Sequence, residues 1–392
     1  MNLHDRANDV FFRTYKHSPI IISHGEGAFL YDIGGRRYID LIGGLAVNSL
    51  GHTHEGILRA IAEQSEKFIH LSNYFLSDAA VQLAESIKRH VGCRRIFFSN
   101  SGTEAIEGSL KIARLWGSRL GKDKMIGFSN AFHGRTYGAL SLMDRVRYRA
   151  GFGPFLPNCF TLPFDDPVAL SSTVDSTTAA VFLEFIQGEA GVIPASEEFV
   201  ETLEKLRRRY GFLIVADEIQ SGLGRTGRPF AFNHYNIAPD IIVVAKSLGG
   251  GLPLGAILGM DSVADVLDIG QHGSTFGGNP VACAAACVVM REIFESGLMQ
   301  NAGAVGAALM DGLIRLHGAY PGLVTAVRGR GLMIGIELSR SGQDVAAELA
   351  HEGVLANCTN QNVIRLLPPL VISSMQVDEA LQVIDAVFAR HT

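Results

Sequence analysis

The sequence predicts an α/β protein with a mainly parallel sheet in a large unit and a smaller α+β part at the chain ends. Three observations lead there. Short apolar runs alternate with helical patterns through the middle of the chain. Those runs show little polar–apolar alternation, so their strands are covered on both faces. Beyond residue 290 the rhythm changes to long helices with few strands. Strand–helix alternation favours parallel pairing, because each helix carries the chain back to start the next strand in the same direction.

Taken in order, residues 27–40 read as paired short strands around the turn Asp32-Ile-Gly-Gly35. Ile96-Phe97-Phe98 is a strand, and an amphipathic helix follows over about 103–120. Further strands are expected at 125–128, 180–183, 213–216, 241–245 and 255–259. The stretch 194–210, ending in mixed charge, reads as a covering helix. An alanine-rich helix near residue 290 leads into helix 301–317, strand 331–338, helix 343–352 and a last helix after Gln376. The expected division is a large unit over 51–290 and a small C-terminal unit over 291–392, with 1–50 packing beside the small one.

The bulk properties narrow the function classes. A chain of 392 residues, 47% hydrophobic and 19% charged, has the profile of a compact enzyme with a large core. A net charge of −5 gives no reason to expect nucleic acid or an anionic membrane. The run Arg207-Arg208-Arg209 reads as a solvated helix face. Five scattered cysteines do not make a disulfide framework. Cys283 and Cys287 sit one helical turn apart among small apolar residues, which favours packing over metal binding. Residues 1–20 lack an apolar signal core and no stretch is long and apolar enough to span a bilayer, so a cytoplasmic location is expected.

Lys246 is the most informative residue. It follows the apolar run Ile241-Ile-Val-Val-Ala245, so it stands at the end of a buried strand facing a cleft. Desolvation disfavours its ammonium form, and a neutral amine is what Schiff-base chemistry with an aldehyde needs. Alone, the residue could equally close a strand with its charge in water. Asn100-Ser-Gly-Thr-Glu-Ala105 opens a helix after a strand, with Ser101 and Thr103 as cap candidates. Such a turn either caps the helix or offers free N–H groups to a phosphate. Asp217 and Glu218 end another buried strand, where a carboxylate needs a cation or several hydrogen bonds. Phe132 and Arg135, in Ala131-Phe-His-Gly-Arg-Thr136, offer a stacking face and a carboxylate fork, or ordinary packing. Gly222, Gly224 and Gly227 match G-x-G-x-x-G, but a polar stretch precedes them and no helix start follows, so a dinucleotide site is not expected. His52 and His54 read as structural rather than metal ligands.

In this order, the stretches resemble the class III (subgroup II) pyridoxal-phosphate-dependent aminotransferases, from about Tyr15 to the C-terminus. The resemblance is carried by Gly43-Gly-Leu-Ala-Val-Asn-Ser-Leu-Gly-His52, Asn100-Ser-Gly-Thr-Glu104, Phe132-His-Gly-Arg135 and Glu184-Phe-Ile-Gln-Gly-Glu189. It continues through Asp217-Glu-Ile-Gln220, Ala245-Lys-Ser-Leu-Gly-Gly-Gly251, Ser274-Thr-Phe-Gly-Gly-Asn-Pro280 and Ile364-Arg-Leu-Leu-Pro-Pro369. Two of these stretches look most like the acetylornithine-type members.

The resemblance implies fold type I, pyridoxal 5'-phosphate as cofactor, and a homodimer with shared active sites. It implies transfer of a terminal amino group, with N-acetylornithine the first donor expected, to 2-oxoglutarate, giving glutamate. Other ω-amines, or racemase or aminomutase chemistry on the same fold, are the alternatives. Lys246 is implied to hold the cofactor as a Schiff base and then move protons, and Asp217 to pair with its ring nitrogen. Ser101, Gly102 and Thr103 would cradle the phosphate, with Thr275 reaching it across a dimer interface. Phe132 would stack on the ring and Gln220 would bond near its phenolic oxygen. Tyr15, Arg135, Glu189 and Arg365 are the implied substrate residues, Glu189 pairing with Arg365 when the donor leaves it free. The chain departs from the family pattern at Phe185, where many relatives have proline, and at Ile106 and Gly108. Leu45 stands where ornithine-type members tend to have tyrosine.

Overall fold

The computed structural model describes residues 3–392. Met1 and Asn2, part of the stretch expected to lack an apolar core, lie outside the described residues. A seven-stranded sheet forms the centre, in the order Arg95–Ser99, Gly255–Gly259, Ile241–Val244, Leu213–Asp217, Thr178–Leu183, Lys124–Phe128, Cys159–Leu162. From Ile241–Val244 to Cys159–Leu162 every pairing is parallel. Gly255–Gly259 runs antiparallel to both of its neighbours. The three middle strands are buried at every position, as unalternating apolar runs require.

Local chemistry sets the helix boundaries. The helix Gly102–Ser118 begins where the Ser101 side chain accepts from Glu104 N–H, a residue earlier than its apolar pattern suggests. The covering helix is Glu197–Tyr210, capped by Ser196, while Ile193–Pro194 forms a two-residue strand with Ile186–Gln187 instead of a first turn. Two helices not expected from the sequence, Glu55–Lys67 and Asp78–Val91, pack against Pro280–Phe294. Cys283 is fully buried in that last helix, and burial pushes its thiol up to about 12.

The chain ends build two further sheets. Ile22–Glu26, Phe29–Asp32 and Arg37–Asp40 form an antiparallel meander, and Val354–Leu355 joins its edge in parallel. Val324–Arg330, Met333–Leu338, Val363–Leu366 and Asn357–Thr359 form the second. The expected strand 331–338 is thus one arm of a hairpin; its partner, Val324–Arg330, carries Thr325, Arg328 and Arg330 and gives no apolar run. His52 meets the Asp40 carboxylate at 2.8 Å, tying this meander to the following loop. Residues 218–229, holding Gly222, Gly224 and Gly227, are turns without a helix, so the dinucleotide geometry is absent. Among the described residues no helix is long and apolar enough to cross a membrane.

Candidate active site

At the carboxyl end of Ile241–Val244 the chain turns sharply, and Lys246 takes a φ of +44°. A residue with a side chain holds that left-handed conformation only when its surroundings fix it. The reward is position: Lys246 enters a cavity of about 450 Å³ lined also by Ser101, Thr103, Phe132, His133, Arg135 and Ile219. Burial pulls the amine's pKa below its usual value, opposed by Asp217 and assisted by Arg365. The amine is therefore easier to hold neutral and nucleophilic.

Asp217 ends the neighbouring strand. It is 3% exposed and accepts from His133 Nδ1 at 2.7 Å and from Ile219 N–H at 3.0 Å. Behind it lies Glu184, whose oxygens accept from Phe132 N–H and Gly188 N–H. Burial, reinforced by the Asp217 charge, pushes the Glu184 carboxyl up to about 7. His133 is fully buried; burial pushes its pKa down and Asp217 more than restores it. Its Nε2 has no partner among the described residues. Neither His133 nor Glu184 is singled out by sequence reasoning, because each acts on Asp217 from a distant segment. Glu218, next in sequence, is anchored away from the cavity by Ser221 Oγ and the N–H groups of Ala231 and Phe232. Only one of the adjacent carboxylates serves the site.

The candidate anion cradle is the start of Gly102–Ser118. First-turn N–H groups there have no intrahelical acceptor. Glu104 does not fill the cradle; its carboxylate folds back to Asn100 N and Nδ2. Two glycines keep the approach tight. A Cβ at Gly102 would stand 2.6 Å from Ile219 Cδ1, and one at Gly134 (φ +133°) would strike Thr103 Oγ1 at 2.1 Å. Thr103 Oγ1 is itself held by Thr136 Oγ1 at 2.9 Å.

At the mouth, Arg365 is 1% exposed and donates to Glu189 at 2.7 Å, Gln220 Oε1 at 3.3 Å and Asn357 Oδ1 at 3.3 Å. Burial pushes the Glu189 carboxyl up, but the charge and hydrogen bond of Arg365 outweigh it and hold the group below its usual range. Arg135 has its guanidinium 3.8 Å over the Tyr148 ring and 5.5 Å from Phe132. The chain brings together Lys246, Asp217, Ser101, Gly102, Thr103, Phe132, Arg135, Gln220, Glu189 and Arg365. Tyr15 is not among them: it is 82% exposed in a stretch with no regular structure beyond the first helix. Thr275 is also outside this cavity and exposed, although the adjacent Ser274 hydroxyl accepts from Asn100 Nδ2 at 3.2 Å.

These groups suit a flat aldehyde with a phosphate tail. Lys246 supplies the amine, the helix start supplies donors for the tail, and Asp217 supplies a fixed charge at the floor. A family model described as class-III aminotransferase matches residues 10–388. An acetylornithine aminotransferase from Archaeoglobus fulgidus is 41% identical over 97% of this chain and 98% of its own. The structure of ornithine aminotransferase from Toxoplasma gondii ME49 superposes with a TM-score of 0.95 at 34% identity, covering 99% of this chain and 94% of that one. A second structure of the Toxoplasma gondii enzyme, described as having partial occupancy of PLP at its active site, gives 0.94 at 34% identity, with the same coverage of 99% and 94%. Acetylornithine aminotransferase from Elizabethkingia anophelis gives 0.90 at 32% identity over 99% of this chain and 98% of that one. With the family model spanning nearly the whole sequence, the chain belongs to the class-III aminotransferases, on the fold type I architecture of pyridoxal-phosphate-dependent transferases.

Proposed function

We propose that the protein transfers the terminal amino group of N-acetylornithine to 2-oxoglutarate, with pyridoxal 5'-phosphate as its cofactor. The observation that carries this reading is the buried Lys246 amine sharing one cavity with His133 and a helix N-terminus, with the Asp217 carboxylate bonded to His133 and its charge acting on the amine. When bound, pyridoxal phosphate supplies an electrophilic aldehyde and a ring that accepts electrons released at the amine-bearing carbon. The chain does the rest. Lys246 Nζ would hold the cofactor aldehyde and would take and return the proton at the reacting carbon. Asp217, oriented by His133, keeps a negative charge at the floor. Ser101, Gly102 and Thr103 would bind the phosphate, Phe132 would cover one ring face, and the Gln220 amide would bond near the ring oxygen.

Substrate choice belongs to the mouth. Arg135 receives the carboxylate at the far end of the donor. Arg365 receives the α-carboxylate of glutamate or 2-oxoglutarate, and Glu189 occupies it when the donor has no carboxylate there. That exchange favours an amine donor alternating with glutamate over a racemase or aminomutase, which needs no second substrate. Free ornithine is the second reading, supported by the Toxoplasma gondii neighbour, but Leu45 counts against it. The same reading divides the chain into 51–290 and 291–392, with 1–50 beside the latter. It makes the protein a homodimer in which Thr275 serves the other subunit's phosphate, consistent with exposed Tyr74, Leu76 and Phe276. Five free cysteines suit a reducing compartment such as the cytoplasm.

A visible absorption spectrum tests the reading. The protein incubated with pyridoxal phosphate should be yellow, bleach with N-acetylornithine and recover with 2-oxoglutarate. A coloured protein that ignores this donor but responds to another ω-amine moves the substrate and keeps the reaction; a protein that never colours overturns both.

A further inference from the structure

Arg225 is as buried as Arg365, yet among the described residues no carboxylate pairs with it. Its Nη1 donates to the carbonyls of Leu332 (3.2 Å) and Pro368, and its Nη2 to Ser49 Oγ at 3.5 Å. Nε has no partner. Burial pulls its pKa down to about 9. A cation left this way is a burden on stability that a methionine of similar length would remove. The groups it holds give a reason for its presence.

Ser49 Oγ lies 2.5 Å from Ser247 Oγ, and Ser247 Oγ donates to the Ala46 carbonyl at 3.0 Å. Each hydroxyl has one hydrogen to give. Ser247 spends its hydrogen on Ala46, so Ser49 must donate to Ser247 and can only accept from Arg225. The chain of bonds has one direction, and its source must be a group with a hydrogen to give to Ser49. A guanidinium is such a group. At one end of this chain Ser247 adjoins Lys246, with its left-handed backbone. At the other, Pro368 lies three residues beyond Arg365, and Leu332 N–H returns a bond to the Arg225 carbonyl at 3.0 Å.

We propose that Arg225 is a positioning residue. Acting through Ser49 and Ser247, it fixes the backbone of Lys246 relative to the strand Val363–Leu366 that carries Arg365. The amine and the carboxylate-binding arginine are thereby held in one register, although 119 positions separate them in the sequence (246 to 365). The inference rests on the reading of Lys246 as the amine that bonds the cofactor aldehyde.

The test is reductive trapping of the apoprotein with pyridoxal phosphate and cyanoborohydride, read at Lys246 by peptide mass spectrometry, beside the thermal midpoint of each variant. Arg225→Met should slow trapping roughly two- to thirtyfold, with little change in thermal midpoint, since loss of the unpaired buried charge offsets leaving the Leu332 and Pro368 carbonyls without their donor. Ser49→Ala, which cuts the link and leaves the cation, should slow it less. Arg225→Lys should recover part of the rate. Trapping at the wild-type rate in Arg225→Met overturns the proposal. So does a joint fall of rate and thermal midpoint in that variant while Ser49→Ala behaves as wild type, since that is what a purely structural arginine gives. If Arg225→Met does not fold, wild-type trapping in Ser49→Ala is decisive against it. A wild-type protein not trapped at Lys246 overturns the reading of Lys246 itself.

Discussion

The floor of the cavity and its mouth both carry charge, but they hold it in different ways. At the floor, Asp217 is gripped from two sides, by His133 and by the Ile219 N–H, and almost no water reaches it. At the mouth, the Glu189 side chain keeps 21% of its surface exposed, and its carboxylate hydrogen-bonds to Arg365 alone among the described residues. Arg365 has Gln220 and Asn357 as well, so in the exchange proposed above Glu189 is the partner that leaves. A charge held by several groups stays in place; one held by a single ion pair can be exchanged for a ligand of the same sign. On the proposed function, the charge at the floor is permanent and the one at the mouth alternates.

The largest expected effect tests the floor. Lys246→Ala should lower amine transfer by ~10⁴-fold or more, measured in single turnovers with N-acetylornithine; a full-rate variant would end the mechanism. Asp217→Asn keeps a hydrogen-bonding group beside His133 but removes the charge. Its kcat should fall about 10²- to 10⁴-fold, and a near-normal rate would show that the floor needs only a hydrogen bond. Glu189→Ala addresses the mouth. Leaving Arg365 unmasked should slow the amine half-reaction about tenfold more than the glutamate half-reaction, and equal losses in both halves would remove the exchange.

The smallest effect is on stability. The Glu189 carboxyl is held below its usual range in the folded protein, so its contribution is complete above the unfolded value, near 4.5, and is lost as pH falls through the lower folded value. Below pH 4.5 the wild-type thermal midpoint should therefore fall faster than that of Glu189→Gln, by ~2 °C or less. Parallel curves would mean that the ion pair contributes to binding alone.

The same contrast marks what could be read from the sequence. The alternating fold was legible because buried strands need continuous apolar runs; such a run leaves Lys246 either a cleft or open water, and the neighbouring motifs with the family resemblance decided for the cleft. The direction of Gly255–Gly259 was not, since a short apolar run carries no sign of orientation. Asp78–Val91 was missed although its buried residues Ala79, Leu83 and Ile87 stand at helical spacing and Lys88, Arg89 and His90 fill its last turn. His133 and Glu184 carried no local mark, because their meaning lies in contact with Asp217, 84 and 33 positions away in the chain (133 and 184 to 217). Arg365 and Glu189 were named through a family resemblance rather than from local spacing, and 176 positions lie between them.

One pairing in the N-terminal sheet also constrains how the chain comes off the ribosome. Ile39 has its parallel partner in Val354, 315 positions later (39 to 354). At ~5–20 residues per second, the strand Arg37–Asp40 waits roughly fifteen to sixty seconds after emerging before that partner exists. Throughout that interval the strand is an open edge, able to pair with any other nascent chain, while all seven strands of the central sheet emerge before the interval ends. A polysome crowded with copies of this message is where that edge is most exposed.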